Sequence, residues 1–516
     1  MTDWTAGYVA DIGYTHGYYG ELNPLRLRLA FLHAGLVCPE IGTACELGFG
    51  QGLSANIHAT ASTVQWHGTD FNPAQAAMAQ ELAAVSGSGA QLLDEGFAEF
   101  CARSDLPDFD FIGLHGIWSW ISDENRHVLV DFIRCKLKVG GVLFVSYNTM
   151  PGWAGFAPLR HLMTRHAEVF GVAGKGSLGR VEAALEFAQK LLDVNPGYAR
   201  ANPQVAERLD KVKGQNKAYL AHEYFNRDWH PMHFATLAEW LAPAKLSYAC
   251  SAYFLDHVAS INLTTEQQAM LNQIPDVLFR ESTRDFMINQ QFRRDYWVKG
   301  ARKLPALEQA EALRNERVVL LTPRADIKLK IMGVLGEARM TEEIYNPILD
   351  CLANHQMWTL GQLEQAVASK GINARQMLEA MAVLVGAGHL TAAQDEARIA
   401  VVRKRTATLN RHLALKARSS ADIAFLASPV LGGGFMVNRF PQLFLLAMAE
   451  GRQPPADLAR FAWELVAAQG QKMLKEGKML ETAEDNLAEL SRLAKEFTEN
   501  QLPILQALQI TQGFTG

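Results

Sequence analysis

The sequence predicts an α/β protein: a parallel sheet with helices on both faces, followed by mostly helical regions. Short apolar runs alternate with helical patterns over the first third of the chain, as a parallel sheet requires. The alternation stops after Trp153, where helical periodicity takes over. A length of 516 residues exceeds what one hydrophobic core serves, so several domains are expected.

Residues 1–40 hold an aromatic, glycine-rich leader, Tyr14-Thr15-His16-Gly17-Tyr18-Tyr19-Gly20. A helix from Pro24 to Leu36 follows, with proline in its first turn and apolar residues at 25, 29, 32 and 36. Strands are expected at Ala44–Leu47, Val64–Thr69, Gln91–Leu93, Phe109–Leu114 and Gly141–Ser146. Helices are expected at Leu53–Ala61, Pro73–Val85 and Asn125–Leu137. The last is entered through Ser122, with Asp123 and Glu124 where a cap and the helix dipole favour them.

Residues 154–320 read as mainly helical, and Tyr219–Ala252 as an extended segment plus a helix beside the first domain. Residues 341–392 give helices at Ile344–Ala353, from Thr359 to Ala368, and at Ala374–Ala387, then a hairpin-like tail over His389–Val402. That is a winged-helix-like pattern. The remainder is helical, with a charged amphipathic helix around Leu474–Thr498. The expected divisions are 1–165, 166–320, 321–405 and 406–516.

Composition narrows the function. Hydrophobic residues make up 49%, charged residues 20%, and the net charge is −5, so nothing electrostatic points to nucleic acid. Residues 341–392 carry Glu342, Glu343, Asp350, Glu364 and Glu379 against Lys370 and Arg375, the wrong sign for a DNA-reading helix. That segment is read instead as recognising a protein substrate or mediating a homodimer. The cysteines form no CxxC pair, and no metal-ligand cluster is evident, so no metal is expected. The N-terminus lacks a signal-peptide pattern, and runs such as Leu443–Ala449 are too short to span a bilayer. A cytoplasmic protein is expected, with peripheral membrane association left open.

The chemistry-bearing residues cluster at strand ends. Glu46-Leu47-Gly48-Phe49-Gly50-Gln51-Gly52 is a glycine-rich strand-to-helix turn, at the edge where ligands of α/β sheets bind. It is no Walker A loop and no usual dinucleotide fingerprint. Two-residue glycine spacing after an acid suits S-adenosylmethionine (SAM), which has no pyrophosphate. A tight turn of any α/β protein would look the same. Asp70 ends the second strand, where a carboxylate can accept both ribose hydroxyls, with Phe71 beside it. The alternative is a helix cap, a role Asn72 can fill. Asp94 or Phe97, after the third strand, could hold an adenine, or be a surface turn and a core residue. His115, Trp118 and Trp120 follow the fourth strand, and Tyr147 and Trp153 follow the fifth. These could line the space beside a methyl sulfonium or be plain core.

Glu-Leu-Gly-Phe-Gly-Gln-Gly at 46–52, Gly-Thr-Asp-Phe-Asn-Pro at 68–73, His-Gly-Ile-Trp-Ser-Trp at 115–120 and Val-Ser-Tyr-Asn-Thr-Met-Pro-Gly-Trp at 145–153 resemble class I methyltransferases that carry a methyltransferase regulatory domain. Ala221-His222-Glu223-Tyr224 and Phe292-Arg293-Arg294-Asp295 resemble its middle domain. The resemblance implies a Rossmann-like sheet, SAM as cofactor with S-adenosylhomocysteine as product, and contacts at Gly48, Gly50, Asp70 and His115. Relatives of this kind include rickettsial enzymes that methylate lysines of surface proteins. The common motifs have Cys at the Phe49 position and Tyr at the Ile117 position, and the second difference puts the acceptor in doubt.

The expectation is therefore a SAM-dependent methyltransferase acting on a macromolecule, first on protein lysine. A sugar-hydroxyl acceptor and a non-catalytic SAM-binding regulator are the alternatives. The cofactor residues expected are Tyr19, Glu46, Gly48, Gly50, Gly52, Asp70, Phe71, Asp94, Phe97 and His115. Those expected around the reacting atoms are His115, Trp118, Trp120 and Tyr147, with His115 or Asp123 as a proton acceptor.

Overall fold

The structure is a computed structural model that describes residues 15–170 and 176–514. The first residue of the leader, Tyr14, and the N-terminal residues read for a signal lie outside the described residues.

The expected short runs form β1 (Thr43–Leu47), β2 (Gln65–Thr69), β3 (Gln91–Leu93), β4 (Phe109–Leu114) and β5 (Leu137–Asn148). Between them lie α2 (Leu53–Ala61), α3 (Pro73–Ser86), α4 (Phe97–Cys101) and α5 (Asp123–Lys136), after an initial α1 (Pro24–His33). Asn72 caps α3 by accepting from Ala74 N, and Ser122 caps α5 by accepting from Asn125 N. Strands β1 to β5 pair in parallel. Their side chains alternate between two cores. Ala44, Phe111 and Phe144 face α1, whereas Cys45, Ile112 and Leu143 face α5.

Two further strands complete the sheet, β6 (Leu246–Ser251) and β7 (Phe292–Lys299), giving the order β3-β2-β1-β4-β5-β7-β6. β7 runs antiparallel between β5 and β6, so the sheet is mixed. β7 comes from a stretch expected to be mainly helical, and β6 from within Tyr219–Ala252, where an extended segment plus a helix was expected. The helices from Ala259 to Met287 separate them, and charged residues interrupt the apolar pattern of β7. Two of those charges, Arg293 and Asp295, are paired inside. Fully buried Arg293 pairs with Asp295 (2.8 Å), Asp285 (2.6 Å) and Glu281 (3.0 Å), and the Tyr147 hydroxyl donates to Asp295 at 3.1 Å. Burial pushes the Asp285 carboxyl up to about 6.

Beyond the sheet, helices Glu342–Leu352, Leu360–Ala368 and Ala374–Gly386 stand where expected, the last two capped by Thr359 and Asn373. The hairpin-like tail does not form. Only Leu390–Ala393 is a strand, and it pairs with the upstream Arg317–Leu320, which also holds Trp358–Thr359. Asp395 then accepts from Arg398 N and starts the helix Glu396–Lys416 before any return strand. The amphipathic helix near the C-terminus is Ala483–Glu496, shorter than expected because a two-strand hairpin occupies Leu474–Met479.

The Glu396–Lys416 helix and the hairpin Phe425–Ser428/Gly433–Met436 cover the outer side of α2, whose residues are all buried. Gln394 donates to Ala61 O at 2.8 Å and Arg405 to Thr60 O at 2.8 Å. Glu81 of α3 takes both His412 and Lys416 at 2.8 Å. Among the described residues, no helix is long and apolar enough to cross a membrane.

Buried Arg293 offsets three carboxylates. Arg293→Leu should therefore destabilise the fold by about 3–5 kcal/mol, measured by urea denaturation, because it strands buried negative charge. A loss below about 1 kcal/mol, the scale of a surface pair, would contradict this.

Candidate active site

The glycine turn sits at the carboxyl edge between β1 and α2. Gly48, Gly50 and Gly52 all have positive φ (78°, 59° and 68°), a region costly for side chains. A Cβ on Gly48 would meet Ile117 Cδ1 at 2.4 Å, and one on Gly52 would meet Ala79 Cβ at 2.3 Å. The turn is held from β2. Gly48 N donates to Thr69 O at 2.8 Å, and Asp70 accepts from Gly50 N at 2.8 Å and Asn72 N at 3.0 Å.

A cleft of about 440 Å³ opens above the turn. Its floor is the turn with Asp70 and Phe71. One wall is Glu95–Glu99, and the other carries Tyr19, His115, Ile117 and Trp120. Asn226, Arg227 and Asp228 close it from outside the first sheet strands.

The electrostatics follow from burial. Desolvation, then the nearby Asp70, push the Glu46 carboxyl up to about 8, and among the described residues its Oε2 has no hydrogen-bond partner. Desolvation raises Asp70 to about 6, against its two backbone hydrogen bonds. Burial lowers His115 to about 4, so its imidazole is neutral at pH 7 and only weakly basic. The Tyr19 ring stacks on it, with centroids 3.5 Å apart.

The structure gathers Tyr19, Gly48, Gly50, Gly52, Asp70, Phe71, Phe97, His115 and Trp120 on the cleft, with Glu46 buried beneath the turn. It places the other expected residues elsewhere. Asp94 is solvent-exposed and off the cleft. Trp118 is fully buried, its indole N–H donating to Met232 Sδ at 3.2 Å. Tyr147 is buried against Asp295 on the sheet face away from His115. Asp123 is exposed and pairs with buried Arg126, which also donates to Trp118 O. Trp118, Asp123 and Arg126 hold the His115–Trp120 turn and Tyr147 belongs to the core behind it, rather than to the cleft surface.

Sequence reasoning missed Asn226, Arg227 and Asp228. Arg227 lies 3.3 Å and His230 3.6 Å from the Asp228 carboxylate, and His230 N donates to Ser119 O at 2.7 Å. That last bond docks the segment onto the His115–Trp120 loop. The only local signal was a polar turn between aromatic residues Phe225 and Trp229. Behind it, Trp229 lies near Trp120 (6.3 Å) and packs edge-on against Trp153 (5.0 Å), with Arg160 over its ring at 4.7 Å.

Residues 216–299 match the family described as a predicted methyltransferase regulatory domain. An uncharacterized protein of Synechocystis sp., sll1526, is 40% identical over 513 residues, 98% of this chain and 100% of that protein. The chain belongs to its family. A second relative, RP789 of Rickettsia prowazekii, is 24% identical over 291 residues, covering 55% of this chain and 51% of that protein. PKMT2 from Rickettsia typhi in complex with AdoHcy superposes with a TM-score of 0.68 at 19% identity, covering 96% of this chain and 100% of that one. The shared fold is the Rossmann-like sheet of class I methyltransferases with a largely helical remainder. Asn226, Arg227 and Asp228 lie inside the regulatory-domain match, so that region builds part of the cleft.

Glu46 supplies a pH test. Folding raises its pKa from 4.5 to about 8, so the folded form binds the extra proton between those values. Its contribution to stability therefore falls as pH rises across that window. In ligand-free protein, Glu46→Gln should leave Tm near pH 5 almost unchanged and raise it near pH 8. A Tm difference independent of pH would contradict the assignment.

Proposed function

We propose that the protein is a SAM-dependent methyltransferase that methylates lysine side chains of a protein substrate in the cytoplasm. The observation that carries the reading is a positive-φ glycine turn bonded to a buried carboxylate, on the floor of a cleft of about 440 Å³. The volume is of the size that encloses a cofactor. The residues fit SAM. The turn brings backbone close to an amino-acid end, and Asp70 keeps lone pairs for ribose hydroxyls. Phe71 and Phe97 offer apolar faces to adenine. The unpartnered Glu46 oxygen beneath the turn suits a ligand that brings a positive charge nearby. AdoHcy in the rickettsial PKMT2 structure supports the same cofactor.

SAM supplies a methyl group activated by its sulfonium. The chain's own residues then position the acceptor, the largest contribution an in-line displacement needs. Trp120 presents an aromatic wall that favours cations and sheds water. A lysine must lose its proton before it attacks. Asp228, at the cleft mouth and within reach of His230, is the carboxylate placed to take it. Neutral His115 serves as the plate under Tyr19 rather than as the base.

Calorimetric titration with AdoHcy tests the cofactor. Asp70→Ala should weaken binding at least tenfold, the scale of lost hydrogen bonds to a charged group. Asp70→Asn, which keeps an acceptor for the turn, should weaken it less. Unchanged affinity in both would sink the ribose assignment.

Incubating the protein with labelled SAM and a lysate of its native cell tests the acceptor. Label is expected in protein, at lysine. Label in saccharide would overturn the lysine reading, and binding without turnover would overturn the enzymatic one.

A further inference from the structure

The run Gly432-Gly433-Gly434 lies far from the cleft in sequence, and the cofactor reading leaves it unused. It forms the tight end of the hairpin Phe425–Ser428/Gly433–Met436. Tyr18 is pressed against it. A Cβ on Gly433 would meet the Tyr18 hydroxyl at 2.3 Å and Asn23 Nδ2 at 2.6 Å, and one on Gly434 would meet the Tyr18 ring at 2.9 Å. The same ring packs on Phe425 (5.4 Å) and on His58 of α2 (5.0 Å). Asn23 adds a second tie, donating to Leu431 O at 2.9 Å.

The next residue is on the cleft. Tyr19 N donates to Ser54 Oγ at 3.1 Å, its carbonyl lies 3.0 Å from His58 Nε2, and its ring stacks on His115. Tyr19 has extended backbone, φ −120° and ψ 99°. Neighbouring side chains of an extended segment point to opposite sides. Seating Tyr18 in the hairpin therefore aims Tyr19 at the cleft.

We propose that the glycine hairpin of the C-terminal region is a remote part of the cofactor site, a clamp that holds the Tyr18–Tyr19 leader so that Tyr19 forms the cleft wall on His115. The proposal rests on the SAM reading for its ligand and on the contacts above for its geometry. Tyr18 and the hairpin glycines are positioning residues, acting through Tyr19. The cleft is thereby completed only when the distant C-terminal region is folded.

The test uses the full-length chain and AdoHcy titration of Gly434→Ala, Tyr19→Ala and the double variant. The added methyl cannot sit beside the Tyr18 ring, so Gly434→Ala should weaken AdoHcy about tenfold, the scale of a local overpacking. The double variant should bind no more weakly than Tyr19→Ala alone, because both changes remove one wall. Wild-type affinity in Gly434→Ala, or losses that add, would overturn the clamp. If Gly434→Ala does not fold, Tyr18→Ala removes the ring without adding an atom and is read against Tyr19→Ala in the same way. Absence of AdoHcy binding by the wild type would overturn the cofactor reading instead. The clamp then stands on faster chymotryptic cleavage after Tyr19 in Gly434→Ala, and equal cleavage rates would overturn it.

Discussion

A buried carboxylate accepting two backbone N–H groups is the constraint on which the cleft depends. Asp70 binds Gly50 N and Asn72 N at once, so it fixes the glycine turn and the start of α3 with one side chain. Turn glycines are free to adopt many conformations, and ordering them costs entropy. The two hydrogen bonds, with Gly48 N on Thr69 O, offset that cost by tying β1's turn to β2's end. The arrangement also places a second acid, Glu46, close by, buried beneath the turn. Burial raises both carboxyls, and the neighbouring Asp70 adds to the shift at Glu46.

The parts of this molecule that were legible in the sequence are those whose signals are local. The helix caps Asn72, Ser122, Thr359 and Asn373 are each written within a few residues and stand as read, and the glycine turn and Asp70 meet at the strand edge where their local pattern put them. Trp118 shows where local reading fails. It shares a short 3₁₀ turn with Trp120, and three residues per turn put the two indoles on different sides. One faces the cleft and the other the core. Tyr147 fails through strand alternation, which turns it toward Asp295 while Ser146 meets Gly116 N. Asn226, Arg227 and Asp228 were out of reach because only tertiary docking onto Ser119 brings them to the cleft.

The region matched to the regulatory domain is structurally continuous with the first five strands. It supplies β6, β7 and the Asn226–Asp228 segment that closes the cleft. The C-terminal region is joined as firmly on the opposite side. It covers α2, whose Asn56, His58 and Thr60 are polar yet buried. A helix that would face water in an isolated sheet domain is here an interior element.

The late arrival of β7 bears on how the chain is made. β5 spans Leu137–Asn148, and its outer edge is covered only when β7 pairs with it. Their nearest paired residues in sequence, Asn148 and Phe292, are 144 residues apart (292 − 148). At roughly 5–20 residues per second, a nascent chain carries that open edge for about 7–30 s before its partner is synthesised. An apolar strand with unpaired N–H and C=O groups is a template for pairing with other chains. Newly made protein is thus most exposed to aggregation on the ribosome, during synthesis of the helices between β5 and β7. Slowed translation past residue 148 would lengthen that exposure without altering the finished fold.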